Sequence, residues 1–238
     1  MRLRPLMLTT LILAISLCST IALADVIVQY QTAANSELTP DVVTAGVSAE
    51  NVTAGSGLQL FSFASGFEWG QWAVSNDNYT DCLNTNDFWS WGFTITDNVA
   101  IDLTDFDISL SHTTNGPATA EVRAKVNNGT EFIVLSPQTI TGSSSTANDF
   151  VGNSLGALPT LFQGDTVIFN LAAYDSPISG GGASDLFILN TVNDGIGGDR
   201  SIRINGSITA IPEPGSATLM GCLALTGLGL LRRRRTSL

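Results

Sequence analysis

Residues 88–112 read FWSWGFTITDNVAIDLTDFDISLSH, and their spacing sets the fold class. Trp89, Trp91, Phe93 and Ile95 take every second position, and Phe106, Ile108 and Leu110 do the same further along. A period of two puts such side chains on one face of a pleated strand, whereas an amphipathic helix needs apolar residues three and four apart. The Trp89–Ile95 quartet is therefore expected to form a buried face.

The same alternation recurs on both sides. Val26, Val28 and Tyr30 share a face, and Ala120, Val122, Ala124 and Val126 alternate with Glu121, Arg123 and Lys125. Further strand-like runs fall at 58–63, 131–135, 166–174, 185–192 and 201–209, separated by the turn clusters TNGP, NNGT, TGSSSTAND, SPISGGGAS and NDGIGGD. The body shows neither helical periodicity nor helix caps. The expectation is an all-β fold, an antiparallel β-sandwich of about eight strands with jelly-roll-like connections, over residues 25–211.

Composition narrows the function classes. Charged residues make up only 13% of the 238 residues, and 23 glycines accompany abundant turn formers, as in secreted all-β proteins. Residues 25–211 carry Arg123, Lys125, Arg200 and Arg203 against twenty acidic residues, a net of −16. Such a surface repels phosphate backbones, so no nucleic-acid partner is expected.

The first 24 residues have the layout of a secretory signal: Arg2 and Arg4, an apolar run over 6–17, then Ala22-Leu23-Ala24 as a cleavage site before Asp25. Leu17 before Cys18 does not suit a lipoprotein. After cleavage the body holds one cysteine, Cys82, so no disulfide within it is expected, and burial as a small apolar side chain is the expected role.

Residues 212–238 read PEPGSATLMGCLALTGLGLLRRRRTSL. The uncharged stretch 216–231 would span ~24 Å as a helix, short of a hydrocarbon core of ~30 Å. Arg232, Arg233, Arg234 and Arg235 after it favour the cytoplasmic side and leave the body outside. Pro212 and Pro214 force an extended backbone around Glu213 just outside that short transmembrane helix. This arrangement resembles the PEP-CTERM sorting signal of Gram-negative bacteria. The resemblance implies that Pro212, Glu213 and Pro214 are read by an exosortase, an integral-membrane cysteine protease that releases or transfers the protein, often in hosts that make exopolysaccharide.

Candidate sites in the body are few. Trp69 and Trp72 flank Gly70 outside the alternating quartet and are expected to be exposed, where flat rings could stack on sugars. Asp77, Asp81, Asp87, Asp194 and Asp199 lie in Asn- and Gly-rich stretches whose oxygens suit calcium, although their spacing matches no calcium loop and solvated turns are the expected role. His112 is the single histidine, expected as a satisfied strand-end residue, and with one body cysteine it leaves no zinc set. The expected function is an exported cell-surface or matrix protein without catalysis or cofactor. The alternative is a carbohydrate-binding module acting on exopolysaccharide through the two tryptophans, with a carboxylate-pair glycosidase as an exception.

Overall fold

A computed structural model describes residues 25–30, 38–60, 67–70, 72, 75–141, 147–177, 187–189 and 201–211, with backbone alone at 60 and 67–69. The expected signal segment 1–24, the tail 212–238 with the short apolar helix expected in it, Asp194 and Asp199 lie outside the described residues. Among those described, no helix is long and apolar enough to cross a membrane.

The described chain forms strands β1 (Asp25–Tyr30), β2 (Pro40–Val43), β3 (Val47–Ala49), β4 (Thr53–Ala54), β5 (Gln59–Leu60) and β6 (Phe67–Gly70), then helix α1 (Tyr79–Thr85). There follow β7 (Phe88–Ile95), β8 (Val99–His112), β9 (Thr119–Val126), β10 (Glu131–Thr139), β11 (Asn148–Ser154), β12 (Thr166–Tyr174), β13 (Phe187–Leu189) and β14 (Ile202–Ala210). The strands form two antiparallel sheets. One runs β2-β1-β14-β8-β13-β6-β5 with β11 also on β8, and the other runs β10-β9-β12-β7-β3 with β4 also on β7.

Strand β8 organises the first sheet. Ile108 pairs with Ile202 of β14 and with Phe150 of β11, while Leu110 pairs with Leu189 of β13 and with Asn148 of β11. A strand residue has one partner on each side, so β11 takes one edge of β8 and β14 and β13 share the other, end to end. The strand is longer than the expected run because alternation starts earlier: Ile101 and Leu103 are buried while Asp102 and Thr104 are exposed.

The expected apolar faces meet between the sheets. Trp89, Trp91, Phe93 and Ile95 are at most 1% exposed, as are Phe106, Ile108 and Leu110. Trp91 stacks on Phe169 at 5.7 Å and 5°, and Phe106 of the opposite sheet reaches Phe169 at 6.4 Å. In β1 strict alternation fails, since a register shift between Val26 and Val28 lets both Ile27 and Val28 be buried.

Helix α1 corrects the expectation of a helix-free body. Asn78 caps it, its side-chain oxygen accepting the Thr80 and Asp81 amides at 2.9 and 3.1 Å, while the Asp81 carboxylate accepts the Asn78 side-chain amide at 2.7 Å. Asn86 ends the helix at φ 61°. Seven residues are too few for a 3.6-residue pattern to show, and so short a helix persists through packing. Its Tyr79 and Cys82 are buried with Ala172 and Tyr174 on the outer side of the second sheet. The Asn78-x-x-Asp81 spacing was the available sequence signal.

Candidate functional site

The most informative geometry lies where the described body begins and ends. Asp25 of β1 pairs with Gly206 of β14, and Ala210 at the end of β14 pairs with Val99. Because the pairing is antiparallel, Asp25 lies toward the end of the sheet where β14 stops, opposite Gly206 and so four residues short of Ala210. There Ile211 donates its amide to the Asn98 carbonyl at 3.3 Å, and the Asn98 side-chain amide donates back to the Ile211 carbonyl at 3.3 Å. The next residue is Pro212. Ala22, Ala24, Pro212, Glu213, Pro214 and Arg232 to Arg235 themselves lie outside the described residues.

The expectation of an exposed Trp72 is overturned. Its side chain is 0% exposed and lies edge-on to Trp89 at 6.0 Å and to Phe187 at 5.5 Å, so it seals the core between the sheets and offers no face to a sugar. Position 72 lies outside any alternating run, which is why its burial could not be read from spacing. Trp69 sits in β6, paired through its backbone with Phe187 and Leu60, and its side chain lies outside the described residues.

The aspartates serve the helix more than an ion. Asp81 accepts the Asn78 side chain and, at 3.4 Å, the Asp77 amide. Asp87 is 2% exposed and accepts the Asn76 side-chain amide at 2.7 Å, so it is a buried brace where a solvated turn was expected. Among the described residues no three His, Cys, Asp or Glu side chains come together as a metal set.

Two carboxylates do approach one another through a cation on the outer side of the second sheet. Glu121, 4% exposed, pairs with Arg123 at 2.7 Å, and Glu131 reaches the same guanidinium at 3.6 Å. The guanidinium carbon lies 4.1 Å from the Tyr79 ring centre, and the Tyr174 hydroxyl donates to Glu121 at 3.4 Å. Burial, then the Glu131 charge, pushes the Tyr79 phenol up to about 12, and burial with the Glu121 charge raises that of Tyr174. The arrangement clamps α1 onto the sheet: a carboxylate held by a guanidinium and a phenol is spoken for, unlike a pair facing each other across an open cleft. Glu121 alternates with buried residues and was expected outside; α1 covers it. His112 is engaged as expected, with Nδ1 against the Thr113 carbonyl and Nε2 2.9 Å from that of Ile140.

Cys82 is a free, fully buried thiol whose sulfur lies 3.3 Å from the Ala173 carbonyl oxygen. Burial, reinforced by the Asp87 and Asp81 charges, raises it from 9.0 to about 12. Since the thiolate is the nucleophile, a maleimide or disulfide reagent at pH 8 is expected to leave native Cys82 unmodified and to label it in denaturant. Fast native labelling would contradict the burial. The folded state holds the neutral thiol, so its stabilising contribution is intact below pH 9.0 and is lost as pH climbs toward about 12.

No protein-family model and no curated protein matches the chain. Among solved structures it is similar to an allantoicase, at 9% identity and TM-score 0.31, over 67% of this chain and 40% of that one. It is also similar to an exo-beta-1,3-galactanase from Phanerochaete chrysosporium with galactose, at 12% identity and TM-score 0.26, over 78% of this chain and 29% of the enzyme. A second structure of that enzyme, with beta-1,3-galactotriose, gives 14% identity at the same score. The chain thus spans well under half of these proteins, and such scores assign no activity.

Proposed function

We propose that the chain is an exported cell-surface or extracellular-matrix protein, a non-catalytic acidic sandwich with jelly-roll-like connections, delivered by a removable tail that an exosortase-type membrane protease reads. The observation that carries this reading is the fit between the last strand and the motif that follows it. Strand β14 closes at Ala210, two residues before Pro212. Cutting at the Pro-Glu-Pro motif therefore severs no described strand. The acidic body then contributes charged surface to the envelope or to exopolysaccharide.

Glycan binding through Trp69 and Trp72 is not carried forward, because Trp72 is a core residue. Intact-mass measurement of the mature protein tests the proposal. A species running from Asp25 to near residue 214 is expected, and one from the outer fraction that still ends at Leu238 would sink it.

A further inference from the structure

We propose that Asn98 is a latch on the root of the tail, and that opening it limits how fast the tail is removed; this rests on the sorting role proposed above. Any protease must draw several residues on both sides of its target into an extended, unpaired form. Here the ladder runs almost to the motif: Ile208, Thr209 and Ala210 pair with Ile101, Ala100 and Val99, and Ile211 is held at both its amide and its carbonyl by Asn98. Only Pro212, Glu213 and Pro214 themselves follow before Gly215.

The body-side residues must therefore be peeled from β8 before they can enter a protease cleft. Thr209 and Ala210 are exposed and bury no side chain that would hold them, so hydrogen bonds set the resistance at this point. Asn98 is itself exposed, at a bend between β7 and β8. Its side chain packs into no core, yet it ties the two strands together at one end of the ladder, across 113 residues of chain. That combination marks a residue which folding does not require and which strand opening must undo.

Asn98→Ala removes the side-chain donor and keeps the backbone bond. Loss of one hydrogen bond raises the open population about fivefold, and cleavage follows that population when opening is fast. Pulse-chase of the full chain in its own host is expected to show tail removal about fivefold faster in N98A than in the wild type. A Gly-Ser-Gly spacer between Ile211 and Pro212 is expected to give a similar gain, with no further gain when N98A is added, since both relieve the same step.

Hydrogen exchange of the Thr209–Ile211 amides in the purified full chain reads the latch without processing, and N98A is expected to lose protection there. Unchanged protection, or equal or slower removal in N98A while the wild type is processed, overturns the latch alone. A wild type that keeps Leu238 overturns the sorting role, and the brake on processing with it.

Discussion

Replacing Pro212, Glu213 and Pro214 with alanine is expected to abolish tail removal while leaving membrane insertion intact. Two prolines hold the backbone extended and deny it helix hydrogen bonds, whereas three alanines, the best helix formers, would let the apolar helix extend back toward β14. A membrane protease would then meet a continuous helix with no exposed amide to grip. In the proposed sorting role, insertion depends on the uncharged stretch and on Arg232 to Arg235, which the substitution leaves in place. Deleting those arginines is expected to give the reciprocal defect, poor retention at the inner membrane with the motif preserved. Fractionation with intact mass separates the two: the triple-alanine chain should stay in the inner membrane and end at Leu238. Its processing at the wild-type rate would show that Pro-Glu-Pro is not the recognised element.

Truncating Asp107 is expected to be among the most damaging single changes in the body. Asp107 and Arg203 are direct cross-strand partners in β8 and β14, bonded at 2.7 and 3.0 Å, and the Asp107 side chain is 1% exposed. The same carboxylate accepts the Gly152 amide of β11 at 2.8 Å, so one side chain ties three strands together. Removing one partner of a buried pair costs about 3–5 kcal/mol, because the other charge stays desolvated. Asp107→Ala should therefore lower Tm by roughly 10 °C in a body of this size. Replacing both members by apolar residues, Asp107→Leu with Arg203→Met, should recover most of that loss, which a double-mutant cycle measures. A single-mutant loss within about 0.5 kcal/mol, the usual range for surface substitutions, would mean that the pair is solvated in solution.

Much of the body was legible because local chemistry repeats. Alternation located β7, β9 and the centre of β8, and placed Trp89, Trp91, Phe93 and Ile95 inside, where they are. The cysteine count and the apolar character of a lone thiol placed Cys82 inside, where it is. Short elements escaped for the same reason: β3 and β4 span three residues or fewer, too few for a period to appear, and α1 spans seven. Edge strand β11 lay hidden in a polar stretch, since Asn148, Asp149 and Asn153 sit in it and its outer edge needs no apolar residue.

Residue chemistry and order in the chain alone carry the proposed secretory and sorting roles, and they determined the all-β class and the alternating faces, because each depends on neighbours a few positions apart. Contacts between residues distant in sequence decided the rest. Trp72 became core only when Phe187 of β13 and Trp89 of the other sheet closed around it, and Glu121 left solvent only when Tyr79 of α1, Arg123 and Tyr174 gathered over it. Asp25 came opposite Gly206, and Asn98 beside Ile211, only because β1, β14 and β8 pair antiparallel over separations of up to 181 residues. Burial and proximity of this kind are properties of the paired sheets, and no local window of sequence contains them.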